Sequence, residues 1–364
     1  MAGDRMRLVI SGGGTAGHVY PALALLDGWP DPRPEVTWIG TPDGMERSIV
    51  TAAGIAFAGV RAGAVRGQRP DRLARSLALV AAGAVQAVGV LRRTRPEVVL
   101  TTGGYVSVPV ALAARVLRIP LVVFLPDVRP GVAVRAQRRL ATRIACAFDA
   151  AVDHLPADRT VVTGYPLRPG FEGGDRETAR KAFDAGDEPL LLVYGGSRGA
   201  RSLNTAVIDR IDELLARCRL VHVCGELDHA DIARRRAALS DEQRRRYELH
   251  AFMGDRLIDA FLAADLGVAR AGASTLAELP AAGLPAVVVP GVFSDQQANA
   301  VWLAERGAAE VVADEQVPQC LVDTVCALLD DDERRAAMAD ASRALARPEA
   351  ADQLRALLEE VAGR

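Results

Sequence analysis

The sequence predicts an α/β protein built from two Rossmann-like halves with parallel sheets. Short apolar runs alternate with longer helix-like stretches along the whole chain, a pattern typical of α/β folds. Two glycine-rich turns, GGGTAGH at residues 12–18 and GGSRGA at residues 195–200, each follow a strand-like run and open into a helix-like segment. Such a turn lets a ligand approach bare backbone and a helix N-terminus. Two of them in matching positions indicate two halves that face each other across a cleft.

Size and composition agree with a globular protein of two domains. The chain has 364 residues, of which 50% are hydrophobic and 25% charged, with a net charge of −2. This charge argues against a nucleic-acid partner. The five cysteines form no CxxC pair, which predicts reduced thiols in a cytoplasmic protein. The chain reaches its first strand-like run almost at once, so we expect no signal segment.

The apolar runs predict six strands in each half. In the first half they lie at residues 7–11, 36–40, 98–102, 121–124, 144–148 and 160–163. In the second half they lie at residues 190–194, 220–224, 248–252, 266–269, 286–289 and 309–312. Residues 164–170 and the polar run 172–177 predict a linker between domains at 1–164 and 165–347. A helical tail follows at 348–364, with Leu354, Leu357, Leu358 and Val361 on one face.

One apolar segment, residues 77–91, is bracketed by arginines on both sides. It is shorter than the roughly 20 apolar residues of a membrane span. A buried alanine-rich helix with solvated ends is one interpretation. An apolar surface with a basic rim, resting on an anionic membrane, is the other.

An acidic run at residues 330–333 precedes a helix-like segment at 334–346. Acids at that place cap the first N–H groups and complement the helix dipole. We therefore expect capping rather than a metal site, and the chain has no HxxxH pair. No metal is predicted.

His18 follows the first glycine turn and is expected just inside the first helix. The imidazolium form is disfavoured there, and a neutral ring can take a proton from an attacking hydroxyl. A helix-start histidine that only bonds locally is the alternative. A dehydrogenase would need an acid at the tip of the second strand, but Asp43 lies three residues past that tip at Gly40, which weakens the dehydrogenase interpretation.

Two later motifs suit a sugar nucleotide. RAGASTLAELPAAGLP at residues 270–285 follows a predicted strand and places Glu278 about one turn into a helix. A carboxylate there can accept hydrogen bonds from the two hydroxyls of a ribose. The run SDQQANA at 294–300 offers neighbouring amides to sugar hydroxyls. A surface or capping glutamate and a solvated polar loop are the alternatives.

Together these motifs resemble the MurG-type N-acetylglucosaminyltransferases of peptidoglycan synthesis. The match runs essentially end to end and includes GTPDGME at 40–46, GGYVSVP at 103–109 and TGYPLR at 163–168. The resemblance implies a GT-B fold whose C-terminal helix crosses back to the first domain. It also implies an inverting transfer of GlcNAc from UDP-GlcNAc to an undecaprenyl-pyrophosphoryl muramyl-peptide, lipid I, to give lipid II. The enzyme would need no metal or cofactor and would act peripherally on the cytoplasmic face of the membrane.

The resemblance also assigns residues to the two substrates. The donor residues would be Thr15, Gly17, Arg168, Gly196, Ser197, Phe252, Met253, Ser274, Thr275, Glu278, Gln296 and Gln297. Among these, Arg168 and Ser197 would contact the phosphates, the backbone near Phe252 and Met253 the uracil, Glu278 the ribose, and Gln296 and Gln297 the GlcNAc hydroxyls. The acceptor residues would be Gly14, Gly103, Gly104 and Tyr105. His18 or Asp127 would be the catalytic base.

One departure from the family lies on the acceptor side. Residues 124–127 are FLPD where the family has HEQN. The donor half departs mildly, with Arg198 where the family usually has Gln. Either Asp127 serves as a base or the acceptor differs. The alternatives are a MurG-like transferase for another lipid or a secondary metabolite, a UDP-GlcNAc epimerase of the same fold, and a non-catalytic nucleotide-sugar-binding or membrane-scaffold protein.

Overall fold

The computed structural model describes residues 5–63, 70–171, 173–196, 199–291 and 296–364, without the side chains of Ala16 and residues 70–73. The chain divides into two compact units. Unit 1 holds Met1–Pro169 and Pro348–Arg364, and unit 2 holds Gly170–Arg347. The division falls a few residues after the boundary expected at 164/165. Glu172, at the start of the expected polar linker, lies outside the described residues.

Unit 1 is built on a parallel sheet whose described strands run in the order β3-β2-β1-β4-β5-β6-β7. The strands are β1 (Arg7–Gly12), β2 (Glu35–Gly40), β3 (Ala56–Gly59), β4 (Val98–Gly103), β5 (Leu121–Leu125), β6 (Arg143–Cys146) and β7 (Thr160–Val162). The six predicted strands are confirmed. Strand β3 was missed because Ala56, Ala58 and Gly59 are small residues with a weak strand signal.

Helices of unit 1 pack against this sheet, whose central strands are buried. Those in residues 1–169 are α1 (Tyr20–Asp27), α2 (Met45–Ala52), α3 (Pro70–Thr94), α4 (Ser107–Leu117) and α5 (Val132–Gln137). Helix α3 packs against α4. It contains the stretch Ala74–Thr94, which by length and composition alone could cross a membrane; a core helix passes the same test. Ser76, Ala87 and Leu91 of α3 are buried, whereas Leu77 and Val85 are exposed.

Unit 2 has a second parallel sheet, with its described strands in the order β10-β9-β8-β11-β12-β13. They are β8 (Leu190–Tyr194), β9 (Arg219–Val223), β10 (Tyr247–His250), β11 (Leu266–Arg270), β12 (Ala286–Val289) and β13 (Ala309–Val311), which confirms all six predictions. The helices are α6 (Arg176–Ala182), α7 (Arg201–Asp209), α8 (Ile211–Leu215), α9 (Glu226–Ala237), α10 (Asp241–Arg246), α11 (Arg256–Ala263), α12 (Thr275–Ala282), α13 (Gln296–Glu305), α14 (Val317–Leu329) and α15 (Asp332–Ala344).

The acidic run before α15 caps that helix, as predicted. The Asp331 side chain accepts the Arg334 N–H at 2.9 Å. Within the described ranges, no group of three or more His, Cys, Asp or Glu side chains is arranged to hold a metal ion.

The tail forms helix α16 (Ala350–Ala362), which belongs to unit 1 and packs against α1. Leu354, Leu357 and Leu358 are buried. The Arg364 guanidinium donates at 2.7 Å to the carboxylate of Glu97, the residue that precedes β4. The predicted amphipathic helix is therefore part of the first unit's packing.

In each sheet the strand order reverses beside the first strand of the unit. β1 lies between β2 and β4, and β8 lies between β9 and β11. Crevices at such reversals are where open α/β sheets bind ligands, at the carboxyl ends of the strands. Both glycine turns stand at these positions.

Candidate active site

The first glycine turn packs directly against the loop that follows β4. Gly12 is aligned with Gly103 across the two strands. A Cβ atom on Gly12 would collide with the Thr102 hydroxyl, and one on Gly104 (φ +80°) would collide with the Gly13 carbonyl. The two loops meet this closely because their residues lack side chains. They bring the predicted acceptor residues Gly14, Gly103 and Gly104 to one edge of the sheet.

His18 is held by the turn, though not inside a helix as expected. It ends a 3₁₀ turn, Ala16–His18, and α1 begins only at Tyr20. The helix starts late because the His18 N–H bonds back to the Thr15 carbonyl at 3.2 Å and the Thr102 hydroxyl donates to the His18 carbonyl. The half-buried imidazole therefore stands over the turn.

The hydrogen bonds of His18 define which ring nitrogen carries the proton. Nδ1 lies 2.9 Å from the Gly13 carbonyl oxygen and 3.2 Å from the Thr15 hydroxyl. A carbonyl only accepts, so the 2.9 Å bond requires a proton on Nδ1. Nε2 then has its lone pair available in the neutral ring. A Cβ on Gly103 (φ +114°) would lie 2.8 Å from Nε2, so this edge of the ring rests on the second loop.

Glu46, the second residue of α2, is a buried carboxylate behind the turn that sequence analysis did not single out. It accepts hydrogen bonds from Thr41 N–H at 2.8 Å, Thr41 Oγ1 at 2.6 Å and Gly14 N–H at 3.2 Å. Burial raises the pKa of this carboxyl, but the bonds from Thr41 and Gly14 outweigh burial and bring the pKa below its usual range. Glu46 is therefore ionised at neutral pH.

The loop that departs from the family is mostly apolar and buried. Phe124, Leu125 and Pro126 are buried, and Asp127 is half-buried just after β5. Phe124 packs edge-on against Tyr165, with ring centroids 6.0 Å apart, and the Tyr165 hydroxyl reaches the Gly17 carbonyl at 3.4 Å. Since neighbouring parallel strands are about 4.8 Å apart, Asp127 shares the sheet edge with Gly103 and His18.

A buried amide network, also missed from the sequence, supports the second loop. Gln137 of α5 accepts from the Thr101 hydroxyl at 2.8 Å and donates to the Ser107 hydroxyl at 2.7 Å. Ser107 in turn donates to the Gly104 carbonyl at 2.7 Å. The predicted acceptor residue Tyr105 lies on this loop and is 40% exposed.

In unit 2 the second glycine turn precedes helix α7. Gly199 (φ +75°) is packed against the Cys224 carbonyl, whereas Gly196 (φ +84°) has open space on its Cβ side. Ala200 is the N-cap residue of α7, and among the described residues no side chain caps the helix. The first N–H groups of α7 are thus suited to an anion. The predicted phosphate contact Ser197, and Arg198, lie outside the described residues.

The predicted ribose contact Glu278 is in the first turn of α12 and only 7% exposed. Ser274 and Thr275 start the same helix. Gln296 begins α13 and accepts the Gly291 N–H at 2.7 Å, while Gln297 is exposed. Buried Asn299 of α13 donates to the Ala271 carbonyl at 3.0 Å, which ties the two motifs together. Ser294 and Asp295 lie outside the described ranges.

Arg270, at the end of β11, joins several of these loops. Its guanidinium donates to Asp314 at 2.6 Å and to the Ser202 hydroxyl at 2.8 Å. It also reaches the carbonyls of Val289 and Pro290, both at 3.4 Å. Ser202 belongs to α7 and Val289 ends β12, so one side chain connects β11, β12 and α7 of unit 2. In the sequence this arginine is distinguished only as the first residue of the motif at residues 270–285.

The remaining predicted donor residues are divided between the units. Phe252 and Met253 follow β10 in unit 2, and Phe252 is 66% exposed. Thr15, Gly17 and half-buried Arg168 lie in unit 1. Their roles toward a donor stay predictions.

Comparison with known proteins identifies the family. The model of the glycosyltransferase family 28 N-terminal domain matches residues 8–146, and that of the C-terminal domain matches residues 190–354. A UDP-N-acetylglucosamine--N-acetylmuramyl-(pentapeptide) pyrophosphoryl-undecaprenol N-acetylglucosamine transferase from Roseiflexus sp. (strain RS-1) is 38% identical over 97% of this chain and 94% of its own length. The protein of that name from Desulforudis audaxviator (strain MP104C) is 38% identical over 99% of each chain.

Among solved structures, the crystal structure of Acinetobacter baumannii MurG is similar, with a TM-score of 0.78 and 26% identity over 98% of this chain and 99% of that one. The two parallel sheets and this similarity give the chain the GT-B fold. Family models in both halves and relatives over almost the whole length lead to one conclusion: the chain is a glycosyltransferase that belongs to glycosyltransferase family 28.

Proposed function

We propose that this chain transfers GlcNAc from UDP-GlcNAc, with inversion, to the muramyl sugar of an undecaprenyl-pyrophosphoryl muramyl-peptide, converting lipid I to lipid II. The observation that carries the proposal is the 38% identity, over almost the whole chain, to transferases whose names state these substrates. The His18 geometry supplies a base suited to the reaction.

In the proposed reaction an acceptor hydroxyl attacks the anomeric carbon of GlcNAc from the face opposite UDP. The new carbon–oxygen bond forms as the bond to the UDP oxygen breaks, and the hydroxyl proton goes to Nε2 of His18. The Nδ1–H bond to Gly13 keeps Nε2 free to accept that proton. Asp127, half-buried at the same sheet edge, is the second candidate for the base.

UDP leaves with the electron pair of the broken bond and gains negative charge. In unit 2, the first N–H groups of α7 are suited to hold its phosphates, and Arg168 and Ser197 are the proposed side-chain partners. Glu278 would bind the ribose, the backbone at Phe252 and Met253 the uracil, and Gln296 and Gln297 the GlcNAc. In this proposal the N–H groups and dipole of α7, together with Arg168, neutralise the charge on the leaving UDP without a metal ion.

A second candidate function keeps the donor and changes the acceptor. The buried, apolar Phe124, Leu125 and Pro126 stand where the family has polar residues, which alters the acceptor edge of unit 1. A different lipid or a secondary metabolite would then replace lipid I.

Peripheral binding to the cytoplasmic membrane surface is part of the proposal. Exposed apolar side chains lie on the packed helices α3 and α4: Leu77, Val85, Leu112 and Val116. Exposed Arg75, Arg92, Arg115 and Arg118 lie on or beside the same helices. Apolar contact with a basic surround suits an anionic bilayer surface.

Two single variants test the catalytic assignment. UDP release and disaccharide formation are measured with UDP-GlcNAc and a short-chain lipid I analogue for the wild type, His18→Ala and Asp127→Ala. Loss of a general base is expected to lower kcat about 10²- to 10⁴-fold. The proposed catalysis fails if both variants keep the wild-type rate.

A further inference from the structure

We propose that Glu46 is a positioning residue that orients and polarises His18 through the peptide bond between Gly13 and Gly14. The inference rests on the proposed function, in which His18 is the base. It concerns how the chain prepares that base before any substrate binds.

A single peptide group links the two side chains. Its N–H, from Gly14, donates to Glu46 Oε2 at 3.2 Å. Its carbonyl, from Gly13, accepts from His18 Nδ1 at 2.9 Å. Carboxylate, peptide and imidazole therefore form one chain of hydrogen bonds with the charge at one end and the reactive ring at the other.

The carboxylate is held rigidly at its end of this chain. Two further bonds, from Thr41 N–H at 2.8 Å and Thr41 Oγ1 at 2.6 Å, hold Oε1. A Cβ atom on Gly13 or Gly44 would collide with the Glu46 carboxylate. The Glu46 side chain thus fills the space that two glycines leave open, and it is fully buried.

This arrangement has a direct chemical effect on the ring. A carboxylate that accepts the N–H of a peptide polarises the group and makes its carbonyl a stronger acceptor. The stronger carbonyl keeps the proton on Nδ1 and stabilises the positive charge that develops when Nε2 takes a proton. A carboxylate bonded directly to a catalytic histidine plays this part in hydrolases; here one peptide bond stands between them.

The test combines kinetics with a direct view of the ring. Glu46→Gln keeps the size of the side chain and removes its charge. We expect kcat to fall about 10- to 100-fold, the usual cost of removing a residue that orients a functional side chain through a hydrogen bond. KM for UDP-GlcNAc should stay within about twofold of the wild-type value. In the His18→Ala background Glu46→Gln should lower kcat no further, because the interaction it serves is already gone.

Nitrogen-15 NMR of histidine-labelled protein, with the His18 signals assigned by His18→Ala, reports the tautomer without turnover. We expect Nδ1 to be the protonated nitrogen of the neutral ring in the wild type and a mixture of both tautomers in Glu46→Gln. Glu97→Gln is the matched control, since Glu97 also accepts a backbone N–H, that of Arg7 at 3.2 Å, at the opposite end of the strands. It should change neither kcat nor the His18 tautomer.

The outcomes separate this inference from the proposed function. An equal loss of kcat from Glu46→Gln with and without His18 would overturn it, as would an unchanged tautomer. If His18→Ala keeps full activity, the proposed base is wrong, and the tautomer alone decides whether Glu46 controls the ring. Should Glu46→Gln fail to fold, Glu46→Asp replaces it: the shorter side chain keeps the charge but withdraws it from Gly14, and the same comparisons apply.

Discussion

The position of the His18 imidazole is set by glycines and by a buried side chain. Gly13 offers its carbonyl, Gly103 makes room for the ring edge, and Glu46 lies buried behind the turn. Glycine is needed at positions 103 and 104 because both adopt positive φ angles and touch a neighbouring loop. The glycines are visible in the sequence; the contacts that require them are not.

Glu278 gives a prediction at the scale of one residue. Glu278→Gln keeps the shape of a side chain that is 7% exposed but removes its charge. Hydrogen bonds to a charged group are worth about 1.5–3 kcal/mol, so KM for UDP-GlcNAc should rise about 10- to 100-fold with a smaller change in kcat. Glu333→Gln, an exposed acid in the first turn of α15, is the control. Equal KM values for both variants would remove Glu278 from the donor site.

His222 gives a prediction about pH. Nδ1 of its buried ring lies 2.9 Å from the Tyr247 hydroxyl, and Nε2 lies 2.9 Å from Asn204 Oδ1. Burial lowers the pKa of His222 from its ordinary value of 6.5 to about 3. Between these two pH values the unfolded chain binds a proton at His222 that the folded chain excludes. The contribution of neutral His222 to the stability of unit 2 is therefore complete above pH 6.5 and is lost as the pH falls toward 3.

The variant His222→Gln removes the titration. The pH dependence of its unfolding free energy between pH 4 and 6 should be shallower than that of the wild type by up to one proton, about 1.4 kcal/mol per pH unit. Thermal melts over this range measure the difference. Parallel curves for the two proteins would contradict the assignment.

At the scale of elements, the glycine turns act through the strands that carry them. Parallel strands buried on both faces are continuous apolar runs, which is why twelve strands could be predicted; β3, built of small residues, could not. The same reasoning placed both glycine turns at strand ends. The start of α1 at Tyr20 could not be predicted, because the Thr102 hydroxyl that donates to the His18 carbonyl lies 84 residues further along the chain.

The contacts of Arg270 lead to a prediction about elements, because this side chain joins β11, β12 and α7. Arg270→Lys keeps the charge but loses the planar fork that reaches several acceptors at once. We expect unit 2 to lose about 1–3 kcal/mol of stability and KM for UDP-GlcNAc to rise. Melting curves and initial rates measure the two effects. Arg234→Lys, on an arginine whose side chain is 80% exposed, is the control, and equal behaviour of the two variants would count against the role of Arg270.

The candidate site was only partly predictable for a related reason. Motif spacing pointed to His18, Glu278 and Gln296, because these residues follow glycine-rich strand ends. No comparable sequence signal points to Glu46, Gln137 or Arg270, because each makes contacts with residues distant in the sequence. A lone buried glutamate, glutamine or arginine becomes interpretable only when its partners are known.

At the scale of the whole molecule, the proposed lipid-linked acceptor would require the enzyme to work at a membrane surface. Val85→Glu combined with Val116→Glu places charges on two of the most exposed apolar positions of α3 and α4. Burying one such side chain is worth about 1.5–3 kcal/mol, so co-sedimentation with anionic lipid vesicles should weaken at least about tenfold. Activity on a soluble acceptor analogue should stay unchanged. Wild-type protein that does not bind anionic vesicles would contradict the proposal.

A product assay with purified protein, UDP-GlcNAc and a short-chain lipid I analogue is the decisive test of GlcNAc transfer to lipid I. We expect release of one UDP per disaccharide formed, an inverted anomeric linkage in the product, and no consumption of UDP-GlcNAc when the acceptor is omitted. Consumption of UDP-GlcNAc without acceptor, or transfer to other acceptors but not to the lipid I analogue, would contradict it.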